Sequence, residues 1–235
     1  MREAPLRAER AAAILEIIMC SGLPTQLLLI GVLRGFGMPF QGAEGGLNPQ
    51  FVFTLSLLDA ALVVGLVILL LRAHREPVRD VLLGRVRLLR EMLLGVAMIP
   101  LIFGVVVVIL VLVLTFVPQL HNVARNPFQD MLQNRTDAAI FAVVVMIAGG
   151  VREEVQRAFI VHRFERYLGP GIYGVVIWSA LFGLGHWEQG HDAAIATAIL
   201  GAIWGLVYLR RRSIVAPVIS HAGFNLAQIL NHALR

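Results

Sequence analysis

Along the chain, long apolar stretches alternate with short breaks marked by arginine. Seven stretches stand out, at about residues 11–33, 51–71, 92–117, 136–168, 171–186, 193–209 and 214–230. A helix crossing a hydrocarbon core needs roughly 20 mostly apolar residues, and most of these stretches approach or exceed that. Each is longer than the roughly ten residues of a barrel strand, and none alternates with period two, so helices are expected. Gly22 and Pro24 interrupt the first, the third is the most apolar, and the fourth runs on through a charged middle. The predicted fold class is all-α, a polytopic transmembrane helix bundle of about seven spans. Residues 35–49, rich in Gly and Pro, predict an irregular loop, and 119–135 a segment along the outer interface. The run Arg85, Val86, Arg87, Leu88, Leu89, Arg90 predicts an amphipathic helix on the inner surface.

Composition strengthens the membrane reading. Of 235 residues, 58% are hydrophobic and only 15% charged, with a mean hydropathy of +0.78. A soluble domain carries about 25% charged residues. The length fits one membrane domain, 1–235, with no second soluble domain. The basic residues are all Arg. The chain's pI near 10.6 would permit nucleic-acid binding, but the arginines flank apolar spans, as membrane topology requires, so no nucleic-acid partner is expected. With seven spans, four Arg-rich regions fall on one side: Arg2 to Arg10, Arg72 to Arg90, Arg163 with Arg166, and Arg210 to Arg212. The N-terminus is then cytoplasmic and the C-terminus outside. No small-residue cleavage site follows the first apolar run, which is expected to stay as a helix. Cys20 stands alone, leaving no intrachain disulfide and no Cys-based metal site. The expected location is the lipid bilayer of a cell membrane, the inner membrane of a bacterium.

Ionisable side chains inside such spans are costly and face a cavity or a partner. The fourth stretch contains Arg152, Glu153, Glu154 and Arg157, the fifth ends in Phe182 and His186, and the seventh carries His221 and Asn225. The fourth and fifth form a hairpin turning near Gly169 and Pro170. Glu153 lies about sixteen residues before that turn and His186 about sixteen after it, so at about 1.5 Å per residue they sit at equal height. The fourth helix, at about 32 residues and about 48 Å, exceeds a core of about 30 Å. His221, about ten residues past Arg212, meets the other two if that helix projects beyond the bilayer. His221 and Asn225 share a helix face. One Glu and two His converging on a site form the base and ligand set of a hydrolytic centre. A Glu can take a proton from water, while His or a metal stabilises the oxyanion. The alternative is a hydrogen-bonded polar core that only orients helices.

These residues resemble the three ordered motifs of the CPBP intramembrane proteases, also called the Abi or CAAX-protease-like family. Glu153-Glu154, then Phe182 with His186, then His221 with Asn225 match E-E-x-x-x-R, F-x-x-x-H and H-x-x-x-N on successive membrane helices. The resemblance covers about 138–231, the expected catalytic core. The motif Arg would fall at Ala158, whereas this chain has Arg157, three residues after Glu154 and four after Glu153. An ion pair with the glutamates stays open, although Arg157 projects about 100° from the usual direction.

The resemblance implies hydrolysis of a peptide bond in a membrane-associated substrate, prenylated or of leader type. Glu153 would be the base for water with His186 as its partner. His221 and Asn225 would hold the second half of the site, Glu154 would orient it, and Arg157 and Phe182 would support it. Glu153, His186 and His221 are also candidate ligands for zinc or another divalent metal, a point the resemblance leaves open. The rival class is a non-catalytic immunity or partner-binding protein that keeps the fold. A transporter is disfavoured because no internal repeat is visible. His186 to His191 is no zincin motif, since its histidines are five apart and about 140° around a helix; Glu188 and His191 are expected in an outer loop. Asp59 is read as a polar helix contact, His162 as interfacial, and Trp178 and Trp204 as packing residues.

Overall fold

In a computed structural model that describes residues 6–42, 46–123, 128 and 134–233, every predicted apolar stretch is helical. The first is a broken pair, α1 (Arg7–Met19) and α2 (Leu23–Gly35), bent by 43°. Gly22 at the break has φ +86°, a left-handed value that favours glycine, and Pro24 lies in the first turn of α2. The described residues of the loop after α2 are irregular as predicted, with a bridge between Gln41 and Leu47. α3 (Pro49–Ala73) starts on a cap in which the Asn48 side chain accepts from the Gln50 amide.

α4 is short (Val78–Leu82), and α5 (Leu88–Phe116) is the longest α-helix. The separate surface helix expected over 85–90 does not form. Gly84 turns the chain with φ +64°, and Leu88 to Arg90 already belong to α5. The expected interfacial segment over 119–135 lies mostly outside the described residues.

The fourth stretch is a continuous rod of alternating pitch. It comprises α6 (Arg135–Val145), a π-helical segment (Met146–Arg152), α7 (Glu153–Arg163) and a second π segment (Phe164–Leu168). Every α7 residue from 154 to 161 is buried. A helix so enclosed occupies the bundle centre and must satisfy its polar groups with protein partners. α8 (Gly171–Leu184), α9 (His191–Arg211) and α10 (Val215–Ala233) follow. α8 lies along α9, and α10 lies along α5 and the first π segment.

Among the described residues, α3, α5 and α9 are each long and apolar enough to cross a membrane, and the bent α1–α2 pair makes a fourth candidate. α8 is apolar but has only 14 residues. The rod and α10 carry the polar residues discussed below. The outward faces of the long helices are apolar and bare, as at Leu93, Leu101, Val107 and Val111 on α5. Such a surface suits hydrocarbon as its solvent. The chain is a helical membrane bundle.

Candidate active site

Glu153 and Glu154 open α7 directly after the first π segment. A π segment shifts the rotation of the helix that follows and recurs at functional sites. Its glycines let α10 approach closely. A Cβ on Gly150 would lie 2.7 Å from Ala222 Cβ, and one on Gly149 would lie 2.5 Å from Asn225 Nδ2. The Asn225 amide therefore packs on the backbone just ahead of the glutamates.

One turn earlier on α10, His221 reaches both carboxylates. Its Nδ1 lies 2.8 Å from Glu154 Oε1, and its Nε2 lies 3.7 Å from Glu153 Oε2. The first is a hydrogen bond; the second is an ion-pair distance too long for one. Glu154 also accepts from Arg157 Nη1. A carboxylate paired with a guanidinium is an acceptor only, so His221 donates to it from Nδ1. The two glutamates thus differ in kind. The side chain of Glu154 is 1% exposed and doubly bonded, whereas that of Glu153 is 17% exposed.

The walls are aromatic. Trp204 of α9 stacks on the His221 ring at 3.9 Å and 15°, and its Nε1 donates to Ser220 Oγ at 3.2 Å. Phe182 of α8 presents an edge geometry to His221 at 6.4 Å and to His186 at 4.8 Å. The Arg157 guanidinium lies 4.9 Å from the Phe182 ring centre and 5.8 Å from that of Trp204, positions a cation occupies favourably. The one-residue displacement of this Arg leaves the ion pair intact, with Glu154 as its partner.

Of the predicted residues, Glu153, Glu154, Arg157, Phe182 and His221 come together, and Asn225 flanks them. His186 joins only through Phe182: its Nδ1 donates to the Phe182 carbonyl at 2.8 Å, and among the described residues no ion pair links it to either glutamate. Equal height requires a helix continuous to His186, but α8 ends at Leu184 and His186 sits in the turn beyond. Among the described residues no three His, Cys, Asp or Glu side chains are grouped so as to hold a metal ion. Glu153, His186 and His221 as placed do not form a ligand set.

Sequence reasoning missed Trp204 as a partner of His221, and Ser220 with it; nothing in an apolar helix marks one Trp as facing a histidine. Asp59 is the polar helix contact expected, paired with Arg152 at 2.6 Å. His162 is tied to Glu76, with 3.1 Å between Nε2 and Oε2. His191 opens α9 and its ring lies 4.2 Å from that of Trp187.

Residues 135–227, from the first residue of α6 to within α10, match the family model described as type II CAAX prenyl endopeptidase Rce1-like. Over this segment the chain is similar to the CPBP, or CAAX-protease-like, family. The match spans all three CPBP motifs, including the displaced Arg157. No curated protein and no solved structure matches the chain. That family model describes CAAX-type endopeptidases, and the helical bundle and the resemblance read from the motifs agree with the similarity.

Proposed function

We propose that this protein is an intramembrane endopeptidase of a bacterial inner membrane that hydrolyses a peptide bond in a membrane-associated substrate, with prenylated CAAX termini as the first class to test. The observation that carries the reading is His221, bonded to Glu154 at Nδ1 and facing Glu153 at Nε2.

The division of labour follows from the exposures. Glu153 is open enough to meet a water molecule and lacks the bonds that immobilise Glu154. It removes a proton from water as the oxygen adds to the carbonyl carbon. The carbonyl oxygen becomes an oxyanion, and the Asn225 amide N–H is its donor; His221, whose Nδ1–H goes to Glu154, keeps Nε2 as an acceptor toward the attacking water. Glu154 keeps His221 protonated at Nδ1 and fixed in rotation, and Arg157 balances the charge of Glu154. Protonated Glu153 then gives its proton to the leaving nitrogen, the C–N bond breaks, and a carboxylate and an amine are released. Because His186 donates from Nδ1 to Phe182, its Nε2 lone pair is left as an acceptor toward the water or the leaving group.

The test is cleavage of a farnesylated CAAX reporter peptide by the full chain in liposomes. Activity in the wild type and background activity in Glu153→Gln are expected. Equal cleavage by both proteins would refute the mechanism.

A further inference from the structure

The rod is gripped on a second face by helices outside the segment that matches the family. Arg152 and Gln156 are four apart, so they share a face, and both are buried. Their partners lie on the first three helices, whereas those of Glu154 and Arg157 lie on α8, α9 and α10. Gln156 Nε2 donates to the Cys20 carbonyl at the break between α1 and α2. Arg152 Nη2 pairs with Asp59 Oδ2 of α3 at 2.6 Å. Asp59, only 3% exposed, accepts at its other oxygen from the Thr25 hydroxyl of α2, and Gln26 Nε2 lies 3.3 Å from Oδ2. The break itself is shaped around this cation: a Cβ on Gly22 would collide with the Arg152 guanidinium.

The grip falls where the helix changes pitch. Arg152 ends the π segment and Glu153 begins α7. Successive residues of an α-helix are about 100° apart, so holding 152 and 156 fixes the azimuth of 153 and 154. A carboxylate about 6 Å from the helix axis moves about 2 Å when the helix turns by about 20°. That displacement would take Glu153 out of ion-pair reach of His221.

We propose that Asp59, held by Thr25, is a positioning residue that pairs with Arg152, sets the rotation of the rod and keeps Glu153 facing His221. Its catalytic consequence rests on the reading of Glu153 as the base; its geometric consequence does not.

The experiment therefore has two readouts. In the full chain, Glu153→Cys/His221→Cys is treated with a short thiol-to-thiol cross-linker, the native Cys20 being fully buried. Cross-linking is compared with Asp59 intact, with Asp59→Asn, and with Asp59→Asn/Arg152→Gln, which removes both charges but keeps amide groups to bridge the gap. Yield should fall at least fivefold in Asp59→Asn and return to within twofold in the pair. In the chain with Glu153 and His221 intact, kcat on the farnesylated reporter should fall at least tenfold in Asp59→Asn with KM within twofold, and recover in the pair. Unchanged cross-linking, or a pair as impaired as the single variant, overturns the proposal. If Asp59→Asn does not fold, Thr25→Val keeps both charges, and a twofold to fivefold loss of cross-linking is expected; no loss again overturns the proposal. Should the wild type leave the reporter uncut while cross-linking still depends on Asp59, the proteolytic reading fails and the positioning role stands.

Discussion

His221 on α10 donates from Nδ1 to Glu154 on α7 at 2.8 Å, across 67 positions of sequence. The bond closes the two ends of the matched segment onto each other. It also divides the work of the adjacent glutamates, tying up one and leaving the other open. The first prediction tests that division. Glu153→Gln should reduce cleavage by about 10²–10⁴, the usual contribution of a general base, with little change in thermal unfolding. Glu154→Gln should instead unfold at lower temperature, because Arg157 is left as a buried cation without its counter-charge, a loss of about 3–5 kcal/mol. Parallel cleavage and unfolding curves in detergent decide it. Equal unfolding temperatures for the two variants would contradict the assignment.

Trp204 should matter through His221. Its ring stacks on the imidazole and its Nε1 donates to Ser220, one residue before His221. Trp204→Phe keeps an aromatic face and loses one hydrogen bond, worth about 1 kcal/mol. Trp204→Ala removes the face and opens a cavity costing about 3–5 kcal/mol. Cleavage should fall modestly in the first and by more than tenfold in the second. Equal activity in the two would mean that the stack does not orient the histidine.

Acid should weaken the far end of the rod. Arg163 Nη1 lies 2.6 Å from Glu76, which also faces His162 and Arg166. Burial opposes ionisation of Glu76, but the hydrogen bonds from His162 and Arg163 outweigh it and hold the carboxyl at about 2, below its ordinary 4.5. A depressed folded-state pKa adds stability above the unfolded value, and that stability is lost as pH falls from about 4.5 toward 2. Thermal unfolding measured across that range should drop in the wild type. Glu76→Gln should start lower and vary less with pH. Parallel curves would exclude Glu76 as the source.

Topology gives a further check. Reporter fusions after Arg79 and after Arg212 should both read cytoplasmic, as the distribution of arginine requires. An external signal at either point would break the proposed orientation and the count of seven spans.

The sequence by itself determined that the chain is a helical membrane protein and where its helices lie, because apolarity over some 20 residues is a local property that lipid enforces directly. It also isolated Glu153, Glu154, His221 and Asn225, because charge inside an apolar run is conspicuous wherever it falls. Tertiary structure decided what each of them faces. Whether Glu153 or Glu154 is the open carboxylate depends on rotation about the rod axis. A π segment alters that rotation, and no periodicity in residues 146–152 announces it. That α8 ends at Leu184, leaving His186 in the turn beyond and bonded to the Phe182 carbonyl, was likewise not marked by hydropathy. Trp204 and Asp59 acquired their partners only through packing between distant helices. Such pairing depends on which faces meet in the bundle, and hydropathy along a single chain carries no record of that.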